Sequence, residues 1–73
     1  MDWRQYIVVD PKVLHGELYF KGTHIPVRVV LENIAAGNIA EDIIESFPSL
    51  NKTSIEAALA YAAQLVRDTD KDI

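Results

Sequence analysis

The chain has 73 residues, of which 49% are hydrophobic, with no cysteine and a net charge of −4 at neutral pH. This length allows one small domain with a core of marginal stability, and the lack of thiols excludes disulfides and cysteine-ligated metals. No apolar run approaches the roughly 20 residues of a membrane span. The polar first residues lack the apolar segment of a signal peptide, so we expect a cytoplasmic protein.

The high apolar content and the uneven charge both bear on partners. So much apolar surface in a small domain predicts that a second copy covers part of it, as in a homodimer. Residues 1–30 carry four basic and three acidic side chains, whereas residues 31–73 carry three basic and eight acidic ones. Because phosphate contacts need Lys and Arg, the first part is better suited to nucleic acid than the second.

Short β-prone runs occupy the first part of the chain. Residues 6–9 and 18–21 are rich in aromatic and β-branched side chains, which predicts two short antiparallel strands between about residues 6 and 21. Asp10 followed by Pro11 predicts a type I turn after the first strand. Gly22 predicts a tight turn after the second strand, because glycine accepts a positive φ without steric cost.

Apolar residues recur at helical spacing in the rest of the chain and predict three helices, over about residues 26–36, 39–47 and 52–66. Pro26 suits the first position of helix one, and Gly37 suits the left-handed residue after its end. The predicted buried faces are Val27, Val30, Leu31, Ile34 and Ala35 in the first helix, Ile39, Ile43, Ile44 and Phe47 in the second, and Ile55, Ala58, Leu59, Ala62, Leu65 and Val66 in the third.

Capping residues mark where the second and third helices begin. Asn38 with Glu41 resembles a capping box and predicts the start of helix two. Helix three begins after one of two candidate caps, either Thr53, which has Glu56 three residues on, or Asn51. The chain thus predicts a mainly α single domain over residues 1–67, in which helices two and three have the proportions of a helix-turn-helix. Residues 68–73 lack periodicity and are predicted to form an acidic disordered tail.

Several motifs resemble those of one bacterial family over nearly the whole chain. They are Asp10-Pro11, Gly22-Thr23-x-Ile25-Pro26-Val27, Ala36-Gly37 followed by Glu41-x-Ile43-Ile44, Phe47-Pro48-x-Leu50, and Ile55-x-Ala57-Ala58-Leu59-x-Tyr61-Ala62. With them the chain resembles the family known as domain of unknown function 433. The resemblance implies a homeodomain-like three-helix fold, similar to the DNA-binding part of VapB-type antitoxins and often encoded beside a PIN-like nuclease toxin.

The chain departs from that family in the segment before the second strand. The family usually has Gly-Gly-Lys-Pro where this chain has His15-Gly16-Glu17-Leu18, and arginine where it has His24. Two basic residues are therefore absent, which weakens any phosphate contact that this segment makes in the family.

No constellation typical of an enzyme is present. The hydroxyl residues at helix ends, including Thr53 and Ser54, suit capping. His15 and His24, even with Glu17, do not make a convincing zinc site, since catalytic zinc usually needs three protein ligands. We therefore predict no enzymatic activity, no metal and no cofactor.

Two sets of residues are candidates for binding. Scattered surface charges are the alternative to a basic DNA-binding patch, and aromatic residues that merely cover the core are the alternative to an interface. The DNA-binding candidates are Arg4, Lys12, Lys21, Arg28, Gln64 and Arg67, and the dimer or partner interface candidates are Trp3, Tyr6, Tyr19 and Phe20.

Two functions are consistent with these features. The first is an antitoxin-like protein that dimerises through its N-terminal strands and neutralises a cognate PIN-like nuclease toxin, with autoregulatory operator binding as an additional activity. The second is a stand-alone helix-turn-helix regulator of transcription. Both rest mainly on the resemblance.

Overall fold

The computed structural model describes residues 1–70, in which a pair of short antiparallel strands precedes three helices. Within these residues, no helix combines the length and the apolar character that a membrane crossing requires. The predicted mainly α fold with short N-terminal strands is confirmed. In chain order the elements are a 3-10 turn (Trp3–Gln5), β1 (Ile7–Val8), a second short turn (Leu14–Gly16), β2 (Tyr19–Phe20), α1 (Val27–Ala35), α2 (Ala40–Ser46) and α3 (Lys52–Asp70).

The two strands place one pair of large side chains in the core. Ile7 lies opposite Phe20 in the antiparallel register, and both side chains are buried. Tyr19 also bridges to Pro26, so the start of α1 lies beside β2. Two strands of this length are unstable in isolation, and packing against the helices stabilises them.

The turns around the strands agree with the sequence. The Asp10 carboxylate accepts a hydrogen bond from the backbone N–H of Lys12 at 2.9 Å, and the Asp10 carbonyl accepts one from Val13 at 2.9 Å. After β2, the Thr23 N–H donates to the Phe20 carbonyl at 3.0 Å. Gly22 lies within that turn at a φ of +81°. Both predicted turns are confirmed.

The two ends of α1 show one confirmed prediction and one correction. Gly37 adopts a φ of +96°, and the Asn38 N–H donates to the carbonyl of Asn33 at 3.0 Å, which closes the helix as predicted. Pro26 was predicted as the first helical residue, but its ψ of 142° is extended and it caps α1 from outside. Its bridge to Tyr19 requires that extended backbone.

The predicted Asn38 cap of α2 is wrong. Ile39 immediately precedes α2, and its N–H donates to the Asp42 carboxylate at 3.3 Å, so Asp42 rather than Glu41 closes this helix start. The Asn38 side chain bonds to α1 instead, because its amide donates to the Asn33 side chain at 3.0 Å. One asparagine thus serves the preceding helix instead of the following one.

Asn51, one of the two alternatives, caps α3. Its side-chain oxygen accepts a hydrogen bond from the Ser54 N–H at 3.0 Å. In return, the Ser54 hydroxyl accepts one from the Asn51 N–H at 3.3 Å. This reciprocal pair satisfies two donors at the helix start, as a capping box does.

The core lies where the strand pair meets all three helices. Ala57 and Ala58 of α3 are fully buried, and their small side chains allow α1 to approach closely. Leu31, Ile34, Ile44 and Phe47 are partly buried against this core, as their spacing predicted. The buried residues are Ile7, Phe20, Val27, Val30, Ile43, Leu50, Ile55, Ala57 and Ala58.

The predicted buried faces are wrong at several positions. On α3, Leu59, Leu65 and Val66 are 47%, 53% and 59% exposed, and Ile39 before α2 is 59% exposed. Ala35 of α1 is exposed as well. Since α3 carries apolar residues on both sides, periodicity did not identify which side packs. The side with Ala57 and Ala58 packs against the rest of the domain.

The helix α3 is longer than predicted. It continues to Asp70, so residues 68–70 are helical rather than part of the predicted tail. Residues 71–73 of that tail lie outside the described residues.

A left-handed turn precedes β2 and leads to a stability prediction. Leu14, His15 and Gly16 have φ values of 50°, 55° and 81°, a conformation that costs a non-glycine residue roughly 1–2 kcal/mol. Glycine at position 15 avoids that cost but has more conformational entropy in the unfolded chain. We expect His15→Gly to stabilise the chain by about 0.5–1 kcal/mol, measured by urea denaturation.

The matched control is the same substitution at His24, which lies outside the left-handed region. His24→Gly should leave stability unchanged or lower it, because only the entropic cost applies there. Equal effects at the two histidines would show that backbone strain is absent from the Leu14–Gly16 turn.

Candidate partner-binding groove

A groove runs between α1 and the middle of α3. Its volume is about 390 Å³, and its floor is mainly apolar. Val27, Leu31 and Ala35 recur every fourth residue, so they line the same side of α1. Leu18, just before β2, completes the floor, and Tyr61 of α3 forms the opposite wall. This groove, lined by these five residues, is called the α1–α3 groove below.

Charged residues occupy one rim of the α1–α3 groove. The Arg28 Nε donates to the Glu17 carboxylate at 2.6 Å, and its Nη1 donates to Glu32 at 3.1 Å. These hydrogen bonds, the one to Glu17 first, raise the pKa of Arg28 above its ordinary value. Two carboxylates surround one guanidinium, so the rim carries a net negative charge.

The N-terminal turn positions the Tyr61 wall. The Trp3 ring meets the Tyr61 ring edge to face, with centroids 5.1 Å apart, and Trp3 Nε1 donates to the Gln64 side chain at 2.8 Å. The Arg4 guanidinium lies 4.6 Å from the centre of the Trp3 ring. This contact between the 3-10 turn and α3 is called the Trp3 clamp below. It joins residues 61 positions apart.

The interface candidates pack largely against their own chain. Phe20 is 2% exposed and belongs to the core, so its side chain is not available to a partner of the folded chain. Trp3 and Tyr6 are partly buried against the same core. Tyr19 is half-buried in β2. Phe20, Trp3 and Tyr6 thus contribute to the core, as in the alternative interpretation, while an interface that includes the partly exposed Trp3, Tyr6 and Tyr19 stays a prediction.

The DNA-binding candidates are distributed over several elements, and some are engaged elsewhere. Arg28 pairs with two carboxylates, Gln64 accepts from Trp3, and Arg4 lies on the Trp3 ring. The remaining three candidates are exposed: Lys12 and Lys21 in the turns that follow β1 and β2, and Arg67 in the C-terminal half of α3.

The polar residues considered for catalysis have structural partners or lie in solvent. The Ser54 hydroxyl donates to the Asn51 side-chain oxygen at 3.2 Å and accepts from the Asn51 N–H at 3.3 Å. His15 and His24 are both exposed. In the part of the chain that the structure describes, no three metal-ligating side chains come together.

The α1–α3 groove was not predicted from the sequence. Tyr61 was expected on the outward side of helix three, but it forms the groove wall. Leu31 and Ala35 were expected to be fully covered by the chain, but α3 leaves a gap beside them, whereas Val27 is buried as predicted. The spacing of these three residues identified the correct side of α1, although it did not show that part of that side stays open.

Comparisons with known proteins agree with the fold. The family described as "Protein of unknown function (DUF433)" matches residues 7–62. The chain is 36% identical over 59 residues to the uncharacterized protein y4eO of Sinorhizobium fredii. The matched segment covers 81% of this chain but only 27% of that protein. The chain therefore spans about a quarter of this relative's length.

A crystal structure of a DUF433 member protein from Anabaena variabilis has a similar fold. Its TM-score is 0.76 at 24% sequence identity, and the match covers 90% of this chain and 65% of that one. At this identity the likeness concerns the arrangement of the strands and helices only.

Proposed function

Because the chain belongs to the DUF433 family of proteins of unknown function, we propose its role from its own surfaces. It is a small cytoplasmic antitoxin-like protein that binds and neutralises a cognate PIN-like nuclease toxin. The observation that carries this proposal is the α1–α3 groove, an apolar groove with an acidic rim. Such a groove suits a protein segment with apolar side chains and a basic residue.

The charge of the chain supports a protein partner over a nucleic acid as the main ligand. The net charge is −4, and the one arginine at the groove is paired with Glu17 and Glu32. A basic segment of a toxin can approach this rim without repulsion, whereas a phosphate backbone is repelled by it.

Two adjacent alanines provide a matched test of this proposal. Ala35 lines the groove and Ala36 does not, and both are exposed at the end of α1. Ala35→Glu should abolish copurification of a PIN-like protein with the tagged chain, because it places a charge on the apolar floor. Ala36→Glu should retain the toxin, since it has the same effect on the helix end without entering the groove.

A growth assay connects binding to neutralisation. Expression of the captured nuclease should arrest growth, and coexpression of the wild-type chain or of Ala36→Glu should restore it. Ala35→Glu should fail to restore growth while its circular dichroism spectrum stays native. If no PIN-like protein copurifies from the native host, or if both variants behave like wild type, the groove is not an antitoxin surface.

Operator binding is a secondary part of the proposal. It is supported by the succession of α2 and α3, which have the proportions of the homeodomain-like helix-turn-helix that the family resemblance implies. Only Lys52 supplies a basic side chain in the first turn of α3, and Glu56 follows it in the next. We therefore expect weak binding with a shallow salt dependence, because few phosphates are neutralised, measured by mobility shift at low salt.

A further inference from the structure

The outward side of α3 carries an apolar stripe that the chain leaves largely open, with three exposed residues and one, Ala62, that is partly buried. Leu59, Ala62, Ala63 and Val66 recur at positions i, i+3, i+4 and i+7, which places them on one side of the helix. Leu59 and Val66 are 47% and 59% exposed. These four residues are called the outer stripe below.

The outer stripe lies away from the domain body. Ala57 and Tyr61 lie on the side of α3 that faces α1 and Trp3. With a rotation of about 100° per residue along the helix, this side is roughly opposite to that of Leu59 and Val66. The C-terminal part of the helix also extends beyond its neighbours, since residues 65–70 are all exposed. An apolar helix face projecting in this way is typical of an interface.

We propose that the outer stripe binds the outer stripe of a second copy of this chain, with the two α3 helices antiparallel. The order of side chains along the stripe is large, small, small, large, which reads the same in both directions. A two-fold axis between Ala62 and Ala63 places Leu59 of each copy opposite Val66 of the other. The central alanines then let the helices approach to about 8 Å, the close end of the usual range.

The charges beside the outer stripe favour the same arrangement. Glu56 and Arg67 flank one edge of the stripe at opposite ends, eleven residues apart, and both are exposed. Among residues 1–70, neither forms an ion pair within the chain. Antiparallel pairing brings each Arg67 near Glu56 of the other copy, whereas parallel pairing aligns like charges. The pattern is complementary to itself, which identifies a second copy as the occupant.

This dimer is independent of the proposed toxin binding and leaves the α1–α3 groove open. It also uses a different surface from the N-terminal aromatic residues Trp3, Tyr6, Tyr19 and Phe20. Failure of one proposal therefore does not imply failure of the other.

Sedimentation equilibrium of the purified full chain tests the proposal. The wild-type chain should dimerise reversibly with rising concentration, and Leu59→Lys should raise the dimer dissociation constant at least about tenfold, since a charge replaces one of the two large apolar side chains of the outer stripe. Leu59 is exposed, so the variant should keep its helical circular dichroism spectrum. Val9→Lys, at an apolar residue 57% exposed in another region, is the control and should dimerise like wild type.

A charge exchange distinguishes antiparallel pairing from any other use of this face. Glu56→Arg and Arg67→Glu should each weaken the dimer by about threefold to tenfold, because each creates two like-charge pairs. The double variant should restore the wild-type constant to within about threefold. A monomer at all concentrations, a dimer unaffected by Leu59→Lys, or a double variant weaker than either single one would overturn the proposal.

Discussion

Phe20→Ala should unfold most of the chain at 37 °C. The side chain is 2% exposed and lies opposite Ile7 in the core, so its truncation removes contacts from both strands and leaves a cavity. Large-to-small changes of a buried phenylalanine cost about 3–5 kcal/mol, which equals the whole stability expected of a domain of this size. Urea denaturation followed by circular dichroism at 10 °C and 37 °C measures the loss.

The control for this variant is Val9→Ala, at a side chain 57% exposed that follows β1. Its effect should stay within about 0.5 kcal/mol, as for most surface changes. If Phe20→Ala stays fully folded and instead loses a partner or a second copy, Phe20 is an interface residue, as its aromatic neighbourhood first suggested, and its assignment to the core is wrong.

Local signals in the sequence predicted much of the fold. Gly22 and Gly37 both have the positive φ expected of them, and Asp10 makes its turn, because each of these features depends on a few neighbouring residues. The three helices were found for the same reason. Hydrophobic spacing needs no information from distant parts of the chain.

Errors arose where two parts of the chain compete for one residue. Asn38 has the chemistry of a helix cap, but its backbone and side chain both bond to Asn33 at the end of α1. Leu59 and Val66 have core spacing, but Ala57 and Ala58 take the packed side of α3. The choice depends on how closely the elements pack, which residue type alone does not reveal.

The candidate site was less predictable than the fold. The α1–α3 groove is a gap between elements, and a gap has no residue signature. Part of its rim could be predicted from the sequence, since Arg28 and Glu32 are four residues apart on one helix and opposite charges at this spacing commonly pair. The pairing of Arg28 with Glu17, eleven residues away, depends on how the segment before β2 meets α1.

Gln64 and Trp3 illustrate the largest revision. Gln64 was a candidate for reading adenine and Trp3 a candidate for an interface, yet they form a hydrogen bond with each other. The Trp3 indole N–H and the Gln64 side-chain oxygen are thus paired within the chain. A contact over 61 residues is beyond any local pattern.

The Trp3 clamp should contribute the second-largest single effect on stability. Trp3→Ala removes the edge-to-face contact with Tyr61, the hydrogen bond to Gln64 and part of the indole burial, with an expected loss of about 2–3 kcal/mol. The N-terminal turn should then detach from α3, and its amide protons should exchange faster. Thermal denaturation and hydrogen exchange of residues 1–6 measure the two effects.

A double-mutant cycle separates the hydrogen bond from the ring contact. Trp3→Phe keeps an aromatic ring but loses the Nε1–H donor, so it should cost about 1 kcal/mol, as should Gln64→Ala. If the bond carries these losses, the double variant should cost little more than either single one. Additive losses would show that the 2.8 Å contact contributes no coupling. The Trp3 clamp would then be held by ring packing on Tyr61 alone, and Gln64 would again be available to a ligand.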